Sequence, residues 1–205
     1  AFQKLGLKPG NTDGTFIQKV PLVGITGSEA KPLVVSGKGT GTFKWRDDVV
    51  AWTKHVADGA GIENSELVFV GYGVSAPEYD WDDFKGVDLK GKTLVMLVND
   101  PQVPDAADPS KLDPRTFNGA AMTYYGRWTY KFEEAARRGA AAALIIHETG
   151  PAGYPFAVVQ GNLGEKFDLV TPDKNMGRAN IEGWLSLDAA KRLLKTSRSS
   201  AANTV

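Results

Sequence analysis

The octapeptide Gly86-Val87-Asp88-Leu89-Lys90-Gly91-Lys92-Thr93 matches every fixed position of the G-x-x-x-x-G-K-T loop, whose amides and lysine hold nucleotide phosphates. That chemistry needs a strand before the loop and a helix after it, so that helix N-terminal amides face the phosphate. Here an Asp-rich turn precedes the glycines, and the apolar run Thr93 to Val98 that follows has strand character. The octapeptide reads as a glycine turn leading into a strand. Gly71-Tyr72-Gly73-Val74-Ser75-Ala76 imitates a dinucleotide fingerprint and follows a strand-like run. Pro77 and the acidic turn behind it forbid the helix that would receive a pyrophosphate. These glycines suit a bend or bulge where the chain leaves a sheet.

Metal and hydrolytic chemistry are thinly supplied. The two histidines, His55 and His147, are far apart and neither has His-x-Asp or H-E-x-x-H spacing. Asp80, Asp82 and Asp83 lack the glycine and terminal glutamate of an EF-hand loop. Asp100, Asp105, Asp108 and Asp113 read as a solvated loop, with adventitious calcium as the functional alternative. Ser75 lacks the second glycine of a nucleophile elbow. There is no cysteine, which removes disulfides, thiolate zinc sites and thiol nucleophiles together. No residue qualifies as catalytic and none as a metal ligand.

The aromatic run Tyr124-Tyr125-Gly126-Arg127-Trp128-Thr129-Tyr130 sits where a long irregular stretch enters the clearest helix. Trp128 falls on the core stripe, while Tyr124, Tyr125 and Arg127 are of the types that anchor interfaces, so packing and recognition both stand. His147 ends a buried strand pattern and reads first as a hydrogen-bonded structural histidine, with recognition second. With Tyr154 it completes the set of expected substrate or partner contacts: Tyr124, Tyr125, Arg127, His147 and Tyr154.

These residues lie in a 205-residue chain with 24 basic and 24 acidic side chains. Zero net charge argues against nucleic acid as a partner, because such binders need a basic surplus to displace counterions. Hydrophobic residues at 42% and charged residues at 23% suffice for a folded core. No apolar run approaches the length of a membrane span, and nothing resembles a signal peptide. The chain starts without Met, as a fragment or processed form does.

Strands are expected over Thr15 to Val23, Leu33 to Val35, Leu67 to Val70, Thr93 to Val98, Ala142 to His147, Phe156 to Val159 and Ala179 to Leu185. Trp45, Val49 and Trp52 have helical spacing, which predicts a short helix over Trp45 to His55. Trp128, Phe132, Ala135, Ala136 and Gly139 form a second apolar stripe, with Lys131, Glu133, Glu134, Arg137 and Arg138 toward water. Gly139 is its left-handed stop. Ser186 caps a last helix from Leu187 to about Lys195, ahead of a frayed tail, while 101 to 123 is a long excursion and 160 to 177 is rich in loops.

Two stretches carry a family resemblance. One joins Leu67-Val68-Phe69-Val70-Gly71-Tyr72-Gly73, Tyr79-Asp80-Trp81-Asp82-Asp83-Phe84 and Gly86 to Val95; the other runs from Tyr130-Lys131-Phe132-Glu133-Glu134-Ala135-Ala136-Arg137-Arg138-Gly139-Ala140 into Leu144-Ile145-Ile146-His147. Together they resemble the protease-associated (PA) domain inserted into secreted zinc aminopeptidases, a group that includes glutamate carboxypeptidase II and the transferrin receptor. The resemblance spans about residues 66 to 160. It implies an α+β, β-rich fold, a small β-sandwich or open barrel flanked by two or three helices. It divides the chain into a flanking segment 1–25 like the edge of a peptidase domain, a PA-like domain 26–185, and a C-terminal helix and tail 186–205. It implies a non-catalytic lid or protein-interaction module, secreted or periplasmic. Its partners would be the catalytic domain of the same parent chain and a peptide substrate. Zinc would belong to that missing catalytic domain, with no cofactor in this chain. The alternative is a free-standing β-sandwich module that binds, for example, carbohydrate through its five Trp and six Tyr.

Overall fold

The computed structural model describes residues 1–27, 30–161 and 164–197. In chain order the strands and helices are β1 (Leu22–Ile25), β2 (Leu33–Ser36), β3 (Thr40–Phe43), β4 (Val49–Trp52), β5 (Leu67–Phe69), β6 (Ser75–Ala76), β7 (Trp81–Asp82) and β8 (Thr93–Leu97). There follow α1 (Trp128–Arg137), β9 (Ala142–His147), α2 (Thr149–Ala152), α3 (Ala157–Gly161), β10 (Lys166–Leu169), β11 (Ile181–Ser186) and α4 (Leu187–Ser197). The fold is α+β and strand-rich, and its described sheets close no barrel.

The β-branched and aliphatic runs build a five-stranded sheet in the order β4-β11-β9-β8-β5. Its last four strands are parallel and β4 is antiparallel at the edge. Every residue of β9 is buried, as expected where both sheet faces are covered. On one face Leu94, Met96, Ala143, Ile145 and Trp184 pack with Phe132 and Ala135 of α1. On the other, Val95, Leu144, Ile146 and Leu185 pack with Ala189, Ala190 and Leu193 of α4 and with the β2–β3 hairpin. Ser186 Oγ accepts the Ala189 amide at 3.3 Å, as a helix cap should.

The glycine punctuation behaves as turn chemistry requires. Gly91 (φ 72°) delivers the chain directly into β8 rather than into a helix. Its amide donates to the carbonyl of Gly139 (φ 69°), the left-handed stop behind α1, at 2.9 Å. The two turns therefore clamp the starts of β8 and β9 together.

Four local expectations are corrected. Trp45 to His55 is not a helix: Arg46 turns left-handed (φ 72°), its amide donates to Val49 O, and Val49–Trp52 pairs with β11. The β-branched pair Val49-Val50 and an available sheet edge outweigh the helical spacing of two tryptophans. Phe156 to Val159 is not a strand; after Pro155 the chain enters the single turn of α3. Of Thr15 to Val23 only Leu22 and Val23 are strand, in β1, and β10 emerges from the loop-rich stretch to pair with it. Lys131 and Glu134 are buried, whereas Trp128 is 41% exposed. From residue 198 onward the expected frayed tail lies outside the described residues.

Gly183 of β11 tests how tightly β4 closes the sheet. A Cβ there would meet Val50 O at 2.5 Å and Ala51 Cα at 3.1 Å, both backbone. Gly183→Ala is expected to cost about 1–3 kcal/mol, read as a lower urea midpoint at unchanged m-value.

Candidate functional site

The C-terminal ends of β5, β8 and β9 open on one edge of the sheet, the edge where α/β sheets place their ligands. Beyond β8 the chain turns through Asn99 (φ 71°) to Asp100, which is fully buried. Asp100 Oδ2 accepts both the amide and the hydroxyl of Thr123, each at 2.7 Å. This pair returns the 101–123 excursion to the strand end it left. Thr123 Oγ1 in turn accepts the Tyr125 amide and caps a turn of 3-10 helix over Tyr124–Gly126, which hands the chain to α1. The excursion is folded. Phe117 is buried among Tyr79, Trp81 and Tyr125, with ring centroids 4.5–5.8 Å apart.

Lys131 crosses from α1 under this loop. Its Nζ donates to the carbonyl of Tyr72 in the Gly71-Tyr72-Gly73 turn at 2.5 Å. Burial holds the amine far below its ordinary range, at about 7, against the opposing pull of Asp83 and Asp100. Asp83 is shifted upward by its own burial while accepting the Val74 amide at 3.0 Å. The second oxygen of Asp100 is buried with no hydrogen-bond partner among the described residues.

Beside Lys131 lies a cavity of about 130 Å³. Ile145 and Trp184 come to it from β9 and β11 and Val98 from just past β8, Met122, Gly126, Arg127 and Trp128 from the loop and the start of α1, and Ala152 and Tyr154 from α2 and the turn behind it. Gly126 is required here: a Cβ would meet Met122 Cγ at 2.6 Å, Asn99 Oδ1 at 2.9 Å and the Asp100 nitrogen at 3.0 Å.

The expected contact residues fall around this cavity in unequal ways. Arg127 and Tyr154 line it. His147 stands behind it, its ring centroid 5.3 Å from Tyr154, 5.4 Å from Phe156 and 5.7 Å from Trp184. Burial lowers the His147 pKa and favours the neutral ring, against the pull of a backbone hydrogen bond, and Nε2 has no hydrogen-bond partner among the described residues. Tyr124 is exposed and donates to Glu133 at 2.9 Å. Tyr125 donates to Glu78 at 2.6 Å, and that bond pushes its pKa up to about 12. Neither tyrosine lines the cavity; both brace the loop above it.

No protein-family model matches the chain, and no curated protein matches it. Among solved structures it is similar to an aminopeptidase from Aneurinibacillus sp. strain AM-1, at 19% identity and a TM-score of 0.40. The match covers 88% of this chain and 31% of that one, so the chain spans about a third of that enzyme's length.

Among the described residues no three His, Cys, Asp or Glu side chains are grouped to hold a metal ion. No described helix is long and apolar enough to cross a membrane. Trp184 is a site residue that sequence reasoning did not single out, while Lys131 and Asp100, read there as facing solvent, are buried, and Asp83, weighed there only as a carboxylate ligand, is half-buried. The available signal for Lys131 was its place between Tyr130 and Phe132, one turn ahead of Ala135, with α1 burying Tyr130, Phe132, Glu134 and Ala135 around it.

Lys131 also sets a pH dependence. Its folded pKa of about 7 lies below the ordinary 10.5, so between these values the unfolded chain binds more protons. Stability therefore rises with pH across that window, with a slope of up to about 1.4 kcal/mol per unit. Urea midpoints between about pH 6.5 and 9.5 should show this rise, and Lys131→Met should flatten it.

Proposed function

We propose that this chain is a non-catalytic PA-like module of a larger, secreted or periplasmic zinc aminopeptidase, where it acts as a lid or recognition surface for peptides. The observation that carries the reading is a two-stranded ribbon whose β10 turns its apolar residues to solvent and its charged ones inward. In the β1–β10 pair, Leu22 lies opposite Leu169 and Gly24 opposite Phe167. These four face solvent, while Val23, Ile25, Lys166 and Asp168 face the body. A two-stranded ribbon normally turns its apolar set inward. Here Phe167 is 64% exposed, and Phe16, Ile17, Val20 and Leu22 extend the apolar surface along the chain.

Lys166 and Asp168 anchor the other face, with Lys166 Nζ 5.5 Å from the Trp52 ring centroid and Asp168 beside Lys54 and Arg178. An apolar face presented by an anchored ribbon suits a second folded domain. Support also comes from element order. The PA-like stretches fall on β5, the Gly71-Tyr72-Gly73 turn, β7 and the turn before it, the clamp at Gly91, β8, α1 and β9; β5, β8 and β9 share one sheet, and β7 pairs with β6 apart from it. On this reading segment 1–25 belongs to the boundary with the peptidase domain. That domain supplies zinc and the hydrolytic groups.

Phe167→Asp with Leu169→Asp tests the reading in two contexts. In the isolated chain the double variant should shift stability by no more than about 0.5 kcal/mol per site, because both side chains are exposed there. In the parent polypeptide it should lower the melting temperature and change peptide hydrolysis. Equal responses in the two contexts would overturn the lid assignment. In the same parent, Arg127→Ala should raise KM for peptides by roughly tenfold at unchanged kcat, with the melting temperature of the isolated chain preserved.

A further inference from the structure

The cavity at the ends of β8 and β9 is small and open at one side, lined mainly by apolar and aromatic residues with Arg127 and Lys131 among them. Val98, Ile145 and Trp184 form its floor, while Met122 and Trp128, 37% and 41% exposed, mark its mouth. A volume of about 130 Å³ is close to the roughly 150 Å³ of an engineered dry cavity that admits benzene. A sugar ring seated there would set most of its hydroxyls against apolar side chains, a cost that an apolar ring does not meet. The tryptophan at its mouth is also turned edge-on to its neighbours, at 85° to Trp52 and 72° to Phe132.

The polar groups at the site differ in availability. Lys131 is committed to the Tyr72 carbonyl. Arg127 is exposed, lines the cavity, and its guanidinium has no ion pair or side-chain hydrogen bond among the described residues. A pocket with apolar walls and one uncommitted donor at its rim recognises an apolar group that carries an oxygen acceptor a few bonds away.

Resting on the peptide reading above, we propose that this cavity is a side-chain pocket. It takes one leucine- or phenylalanine-sized side chain of a bound peptide, whose neighbouring main-chain oxygen pairs with Arg127. Ala152, half-buried on α2, forms part of the wall that such a side chain meets. Small side chains leave the floor untouched and gain little, because each methylene they lack is apolar surface left unburied.

The test titrates the chain with N-acetyl-leucine amide, N-acetyl-phenylalanine amide, N-acetyl-alanine amide, N-acetyl-leucine and glucose. Amide shifts of Val98, Gly126, Ile145 and Ala152 and the indole signal of Trp184 are followed by NMR. Saturable shifts are expected for the leucine and phenylalanine amides, with Kd on the order of 1–10 mM, at least tenfold tighter than for the alanine amide. Ala152→Phe should fill the pocket and abolish the shifts. Arg127→Ala should weaken both amides several-fold while keeping their advantage over alanine, and this variant stands if the first fails to fold. Comparing the leucine amide with the free acid tells a chain carbonyl from a terminal carboxylate as the oxygen on Arg127.

Equal binding of the alanine amide, a response to glucose alone, or shifts that survive Ala152→Phe in a folded protein would each overturn the proposal. The isolated chain and small probes read only the pocket. Failure of the lid reading shows instead in the ribbon variants of the parent polypeptide.

Discussion

One buried lysine organises the edge of the sheet. Lys131 links α1 to the Tyr72 carbonyl after β5 and lies within the field of Asp83 and Asp100. Asp100 holds Thr123, Thr123 caps the turn at Tyr124–Gly126, and that turn sets where Arg127 and Trp128 begin α1. A charge removed from water at this cost persists where its removal would strand other buried polar groups. Losing the amine would leave the Tyr72 carbonyl without its lysine donor, and the two carboxylates without their counter-charge. Both the position of the loop and the shape of the cavity follow from this arrangement.

That arrangement also explains which parts of the molecule could be read in advance. Runs with one dominant signal were legible: Thr93 to Leu97, Ala142 to His147 and Ile181 to Ser186 are apolar or β-rich and formed strands. Glycine turns were legible for a steric reason, since Gly91 and Gly139 occupy left-handed backbone that other residues resist. The apparent phosphate loop was recognisable as a turn because no helix pattern followed it. Where two periods competed, the stronger context won: Val49 to Trp52 found the free edge of β11 and became a strand.

The site was harder to read because its principal residue breaks the binary pattern. The residues that α1 buries centre on Lys131, so the true inner face is rotated by roughly 80° from the stripe through Trp128 and Ala136, at 100° per residue. A charged residue at the centre of a buried face cannot be inferred from hydrophobic periodicity; only the carbonyl and carboxylates around it make it tolerable. Arg127 and Tyr154 could be chosen by type, and the structure brings both to one cavity. Tyr124 and Tyr125, chosen on the same grounds, are engaged by Glu133 and Glu78 instead. Residue type identified the neighbourhood, and hydrogen bonding divided its members into wall and brace.

The outward ribbon and the cavity are joined by packed rings. Lys166 of β10 lies over Trp52, and Trp52 meets Trp128 edge-on at 6.4 Å. Trp128 then lines the cavity and also packs against Phe132. Contiguity alone does not make two surfaces allosterically coupled, because coupling needs an element with two arrangements that each site biases differently. The contacts along Lys166, Trp52 and Trp128 give one packed arrangement of rings. The chain of contacts therefore acts as a fixed spacer: a domain seated on the ribbon inherits a set distance and orientation to the pocket. On the proposed reading, recognition of a peptide at the pocket would depend on where the ribbon is docked, without any change in the pocket itself.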